Sequence, residues 1–313
     1  MDIGSGCIEQ QAGHGNYTGY GNYTGHENNG EQAAVNSTDA RVAADRAGIA
    51  DYRFLRVLGA GNHGVFYLAQ RPDRLRIDAD QVAVKVLSGT NSHDTFRRAT
   101  RELAAFAAVQ SPYLVSLYDA GQQGDDLYYS MEYLPAGSLA DGAPALVQRQ
   151  VLKAVSDAAR AAHALHEAGI AHNDIEPGNI LLTENGAKLS DLGLSQLLMP
   201  GLTITGLGTA GSVEFVDPAI IRGELPSRAT DIYALAATLH RVLTGRGMYG
   251  ELPTDNTMVA MRRVLAHSPE LAPNLLPVTR DLILQSTNPD HAVRPATAAE
   301  FADRVDGLSD DIL

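Results

Sequence analysis

His172, Asp174 and Asn179 stand in the stretch "AHNDIEPGNILL" (Ala171–Leu182) at the spacing HxDxxxxN. An aspartate can orient a hydroxyl nucleophile and remove its proton. An asparagine five residues later can share a divalent cation with a second aspartate, and Asp191 in "LSDLGLS" supplies one. Mg2+ suits such a site, because it takes one or two protein oxygens and completes its octahedron with phosphate oxygens and water. The chemistry implied is transfer of a phosphoryl group to a hydroxyl, with Asp174 and Asn179 as catalytic candidates and Asn179 and Asp191 as metal ligands.

Two upstream stretches extend the set. "GAGNHGV" (Gly59–Val65) is a GxGxxG turn whose amides can approach phosphate oxygens without side-chain obstruction, a weak signal when taken alone. It lies between two strand-like runs, which argues against a dinucleotide-binding strand–turn–helix. "VAVK" then places Lys85 on the next strand. Glu102, on the following helical stretch, is placed to hold that ammonium toward a diphosphate, although Arg97, Arg98 and Arg101 compete for it.

The elements that must position these residues follow from the apolar pattern. "YRFLRVLGAG", "GVFYLAQ", "DQVAVKVL", "YLVSLYDAGQ" and "LYYSMEYL" read as five strands. A helix spans about His93–Val109, with Phe96, Leu103, Phe106 and Ala107 on its apolar face, and Pro112 closes it. Beyond Gly137 the chain reads as helical. Leu146–Ala168 repeats Val147, Val151, Val155, Ala158, Ala162 and Leu165 at three- and four-residue steps, and Ser227–Thr244 stops at Gly245. The expectation is an α+β, two-lobed fold: a small β-rich lobe of five strands and one helix over residues 49–134, and a larger mainly helical lobe over 135–305. Residues 1–48, rich in Gly, Asn and Tyr with "GNYTG" twice, lack apolar periodicity and are expected to form a flexible tail. Residues 306–313 read as a short acidic tail.

Composition narrows the partners. A formal net charge of -13 disfavours nucleic acid and anionic membranes, and favours basic protein partners. No apolar run reaches the ~18 residues of a membrane span, which excludes membrane insertion by a helix. The start "MDIGSGCIEQQAGHG" lacks the basic and apolar regions of a signal peptide, and the single Cys7 allows no internal disulfide. A cytoplasmic protein is expected. The sequence leaves its oligomeric state open.

These pieces, in this order, resemble the protein kinase family, in its bacterial Ser/Thr type, over about Tyr52–Phe301. "SMEYL" resembles the gatekeeper and hinge, "GSVEFVDPAI" the end of the activation segment, "ATDIYALAATLHRVLTG" the buried helix whose Asp231 braces the catalytic loop, and "NPDHAVRPATAAEF" the late Arg-Pro element with Arg294. The resemblance implies ATP and Mg2+ (or Mn2+) as cofactors and a protein Ser/Thr hydroxyl as acceptor. It implies Asp174 as base, Asn179 and Asp191 on the metal, and Lys85 on the α- and β-phosphates, held by Glu102. The implied nucleotide pocket comprises Leu58, Gly59, Gly61, Gly64, Val65, Ala83, Lys85, Glu102, Met131, Glu132, Tyr133 and Leu181. Met131 takes the gatekeeper place, Glu132 and Tyr133 offer backbone groups to adenine, and Val65, Ala83 and Leu181 sandwich it. Phe106, Leu117, His172 and Leu192 fall where the family stacks its regulatory spine. Ser212 falls where Ser/Thr kinases keep a hydroxyl beside the base.

Four positions depart from the family. Asn173 replaces the Arg between His and Asp, Leu192 replaces a Phe, and Ala219 replaces a Glu that bridges to Arg294, which then either turns to Glu214 or Asp217 or loses its bridge and loosens that corner. Glu176 stands where a Lys steadies the migrating phosphate, and joins the catalytic candidates for that reason. A carboxylate about 4 Å from phosphate oxygens costs on the order of 4 kcal/mol at an effective dielectric of 20, roughly a thousandfold in rate. It escapes that cost by pairing with a basic residue, by holding a metal or by meeting a cation on a basic substrate. A catalytically weak or inactive kinase-like binding module is the competing reading. A small-molecule phosphotransferase of the aminoglycoside-kinase type is a third, since "HNDIEPGNIL" is similar to that group's catalytic loop. Those enzymes generally lack the GxGxxG turn, the DLG-to-Pro segment and the Asp231 helix.

Overall fold

Runs of alternating aliphatic and aromatic residues bounded by Gly and Asp form the first third of the chain into a six-stranded antiparallel sheet. A computed structural model describes residues 46–61, 64–87, 93–191 and 212–308. The strands are β1 (Gly48–Ile49), β2 (Tyr52–Gly61), β3 (Gly64–Gln70), β4 (Gln81–Leu87), β5 (Leu117–Gln123) and β6 (Asp126–Glu132), in the order β1-β2-β3-β4-β6-β5. All five expected strands are present. The sixth, β1, is a two-residue edge strand on Tyr52 and Arg53, too short to show a period in sequence. The expected tail lies outside the described residues up to residue 45. Its last residues run along the sheet edge, where Arg46 Nη1 meets Asp126 Oδ2 at 2.7 Å.

The sheet separates two apolar clusters. Ile49, Tyr52, Tyr67, Val82, Val84 and Tyr128 fill one face. Ala83, Leu87, Leu127, Tyr129 and Met131 fill the other, with Ala99 and Leu103 of α1 (His93–Ala107) packed on them. Gly64 opens β3 at φ +148, where a Cβ would collide with the Val86 carbonyl oxygen. The start of β3 therefore requires glycine at this position.

The remainder is mainly helical: α2 (Leu139–Gly142), α3 (Gln148–Glu167), the hairpin β7 (Ile180–Thr183) and β8 (Gly186–Leu189), α4 (Pro218–Ile221), α5 (Arg228–Thr244), α6 (Thr257–Ala266), α7 (Pro277–Ser286) and α8 (Ala298–Asp306). On α3, Val151, Val155, Ala158, Ala162 and Leu165 are buried as their spacing requires. Val147, which the periodicity places on the same face, instead caps the helix and is 66% exposed. α5 is buried nearly all round. Ser227 caps its start, and Gly245 ends it in the left-handed conformation at φ +68. The β7–β8 hairpin is pinned to α3 by Asp157, whose buried carboxylate accepts the Ala187 N–H at 3.1 Å. Asp306, assigned by sequence to a tail, ends α8 and binds Arg160 at 2.6 Å, while residues 309–313 lie outside the described set. Among the described residues no helix is long and apolar enough to cross a membrane.

Candidate active site

Asp231, in the first turn of α5, organises the loop that carries Asp174. Its buried carboxylate accepts the backbone N–H groups of His172 at 2.7 Å and Asn173 at 2.8 Å, and meets the His166 ring at 2.7 Å. Three partners satisfy a carboxylate that burial would otherwise penalise heavily. Asn173 adopts φ +65, a conformation asparagine tolerates better than most residues. The His172 ring bonds the Ser190 carbonyl at 3.0 Å, which ties this loop to the residue preceding Asp191.

The Asn179 amide fixes the next contact. Its Nδ2 donates to the Asp174 carbonyl at 2.7 Å and to Asp174 Oδ2 at 3.1 Å. Among the described residues nothing donates to Asn179 Oδ1. The Asn179 carbonyl accepts Ser190 N–H at 2.9 Å and Ser190 Oγ at 3.1 Å, so β7 and β8 hold Asp174, Asn179 and Asp191 in one constellation. Lys85 reaches in from β4. Its Nζ lies 2.7 Å from Asp191 Oδ2, with side chains 13% and 8% exposed, and 4.6 Å from the centre of the Phe66 ring. The Tyr129 hydroxyl donates to Asp191 Oδ1.

Three carboxylates share this space. Burial first, then Glu176 and Asp191, push Asp174 up to about 7, while Lys85 and Asn179 pull it down. Burial also raises Glu176, and Asp191 adds to this, whereas the Ser212 hydroxyl favours its charged form. Burial keeps His172 below its usual range. Glu176 and Ser212 line a cavity of about 560 Å³ together with Phe215 and Gly178. Of the outlets open to Glu176, an ion pair with a basic residue is not made among the described residues.

A protein kinase domain family model matches residues 52–303. The chain belongs to the protein kinase family. It is 31% identical over 263 residues to the serine/threonine-protein kinase PrkC of Bacillus subtilis strain 168, covering 80% of this chain and 39% of that protein. It is 32% identical over 260 residues to the serine/threonine-protein kinase PknK of Mycobacterium tuberculosis H37Rv, covering 79% of this chain and 23% of that one. The chain thus spans well under half the length of these two relatives. The fold is similar to a crystal structure of a point mutant of the Mycobacterium tuberculosis PknI kinase domain, with TM-score 0.64 and 25% identity over 84% of this chain and 98% of that one.

Against the family's pattern, two expected placements change. Lys85 is not held by Glu102. It pairs with Asp191, the more deeply buried carboxylate, where a counter-cation offsets a larger desolvation cost. Glu102 stays half-buried on α1 without an ion pair among the described residues, its pKa raised by burial. Val65 does not face the pocket. It packs on the Tyr67–Val84 side of the sheet, and Phe66 takes the side facing Lys85, Tyr133 and Leu181. One residue along a strand reverses the face.

Leu58, Ala83, Met131, Tyr133 and Leu181 share one apolar cluster, which Leu134, absent from the sequence-based set, joins. Gly59 and Gly61 pair with Phe66 and Gly64 across β2–β3. The Glu132 N–H donates to the Ser116 carbonyl at 2.9 Å and its carboxylate takes Lys188 at 2.7 Å, so Glu132 holds the hinge. Phe106 and His172 are buried and Leu117 packs on the same core, while Leu192 lies outside the described residues. Arg294 finds Asp217, with Nη1 2.5 Å from Oδ2, and Glu214 goes to Arg241 at 2.7 Å. The missed residue with most bearing on the site is Tyr129. The period of two along β6 was the available signal, because it puts Tyr129 on the face of Met131.

Proposed function

We propose that the chain is an ATP- and Mg2+-dependent Ser/Thr protein kinase, with residues 49–134 and 135–305 as its two lobes and the cytoplasm as its place of work. The observation that carries this reading is the convergence of Asp174, Asn179, Asp191 and Lys85 through one hydrogen-bonded chain. In this reading Asp174 accepts the proton of the acceptor hydroxyl as that oxygen bonds to the γ-phosphorus, and the bond to the bridging oxygen of ADP breaks. Lys85 passes from Asp191 to the phosphates, and the Leu58–Leu181 cluster encloses adenine.

The residues present fit Mg2+. Because Asn179 turns its Nδ2 to Asp174, its Oδ1 is left as a free acceptor, and Asp191 adds carboxylate oxygens. Bound there, the ion supplies neutralisation of phosphate charge.

The inward-facing Glu176 supports a basic substrate. A lysine or arginine near the acceptor, lying in the cavity beside Glu176, supplies the cation that the catalytic loop lacks.

The test is labelling of a lysine-rich protein from γ-labelled ATP with Mg2+, followed by phosphoamino-acid analysis, for wild type beside Asp174→Ala. Phosphoserine or phosphothreonine with wild type alone supports the proposal. Nucleotide binding without labelling by either protein makes the chain a binding module. Label on an aminoglycoside and none on protein makes it a small-molecule kinase.

A further inference from the structure

Tyr129 and Lys85 are cross-strand neighbours in the β4–β6 pair, and both aim at one carboxylate. Lys85 binds Asp191 Oδ2 and the Tyr129 hydroxyl donates to Oδ1. The Tyr129 ring is 2% exposed and packs with Ala99 and Leu103 of α1, so its hydroxyl is held by a filled core. Asp191 itself sits at φ +58, a conformation an aspartate adopts only where its surroundings hold it.

The two donors differ in what they can do next. The ammonium of Lys85 lies at the end of a flexible chain and has another task once phosphates arrive. The hydroxyl of Tyr129 is neutral, rigidly mounted and without another partner among the described residues. A carboxylate oxygen keeps a second lone pair when it accepts one hydrogen bond.

We propose that Tyr129 is a positioning residue for Asp191: its hydroxyl anchors Oδ1, so that when Lys85 leaves Oδ2 the carboxylate keeps the orientation that binds the divalent cation. The inference rests on the reading of Asp191 as a metal ligand. Groups that orient ligating carboxylates typically change metal affinity by about 10–100-fold when removed. Tyr129 is thereby distinguished from Tyr128, which packs on the opposite face of the sheet.

The test uses Tyr129→Phe, which deletes the hydroxyl and keeps the ring, with Tyr128→Phe as a matched control. Dissociation constants of a fluorescent non-hydrolysable ATP analogue are determined with and without Mg2+, and melting temperatures confirm folding. Wild type and Tyr128→Phe are expected to show the same tightening by Mg2+, and Tyr129→Phe a tightening smaller by about tenfold or more. Equal tightening in Tyr129→Phe overturns the inference. Greater tightening overturns it as well, and makes the hydroxyl a competitor of the metal. If Mg2+ fails to tighten binding even in wild type, the reading of Asp191 fails first. A second observation needs no substitution: the buried, hydrogen-bonded Tyr129 hydroxyl proton is expected to give an NMR signal that persists when Mg2+ and the analogue bind, and its loss on binding refutes the anchor.

Discussion

Replacing Glu176 by glutamine removes one carboxylate from the cluster around Asp174 and leaves its size and hydrogen-bonding capacity nearly unchanged. Asp174 is held at about 7 against an ordinary 3.8, by burial first and by Glu176 second. Two like charges at the ~4–6 Å over which neighbours shift a pKa repel by roughly 3–4 kcal/mol at an effective dielectric of 20. Lys85 and partial protonation of Glu176 offset part of this, leaving about 1.4 kcal/mol, or about one pH unit, to Glu176. A base works when ionised, so activity rises as pH passes the pKa. In Glu176→Gln that rise should move from about 7 to about 6. The assay is kcat/KM for ATP between about pH 5.5 and 9 at saturating concentration of an acceptor peptide without Lys or Arg, which reports ionisations of the enzyme form that binds ATP. The variant should exceed wild type by about fivefold near pH 6 and lose the advantage above about pH 8. A midpoint that stays in place, or moves upward, refutes the electrostatic account of the cluster.

Other consequences follow from the same contacts. Asp217→Ala leaves the Arg294 guanidinium buried without its carboxylate, and should cost about 3–5 kcal/mol in urea unfolding; a loss below about 1 kcal/mol contradicts the assignment of that ion pair. Because the folded-state pKa of Asp174 lies above its unfolded value, the stability that its protonation contributes is lost as pH rises through about 7. Asp174→Asn should therefore stabilise the protein more at pH 8 than at pH 5, by about 1–3 kcal/mol, and equal gains at both pH values contradict this. Asp231→Asn offers one acceptor oxygen where the carboxylate offers two, and should lower kcat at least about tenfold while ATP affinity changes little. Unchanged kcat shows that the loop does not depend on that brace.

Much of the fold was legible because its signals are local. The α3 pattern Val151, Val155, Ala158, Ala162 and Leu165 and the Ser227 and Gly245 caps of α5 require only near neighbours to be interpreted. The relocation of the Arg294 bridge was legible only as one of three outcomes, since Ala219 cannot pair and the sequence left Glu214, Asp217 or a lost bridge open; the structure selects Asp217. What sequence could not supply was the choice among partners for a charge. The sequence offers Lys85 more than one carboxylate, and that it meets Asp191, at 2.7 Å with both side chains largely buried, is a property of the assembled core. The Val65–Phe66 reversal has a different origin: the hairpin register fixes the faces, and a one-residue offset in reading a glycine turn inverts them. Tyr129 escaped notice because a tyrosine in a β-rich run reads as packing, and only the assembled structure brings its hydroxyl to Asp191.

The central claim is that Asp174, within its hydrogen-bonded constellation, serves phosphoryl transfer from ATP. It is tested most directly by the single-turnover rate of phosphate transfer to a lysine-containing serine peptide, at saturating ATP and Mg2+, for wild type and Asp174→Ala. Removing a positioned base costs about 10²–10⁴-fold, so the variant should transfer phosphate at least about a hundredfold more slowly while binding ATP with similar affinity. Equal rates in the two proteins contradict the account.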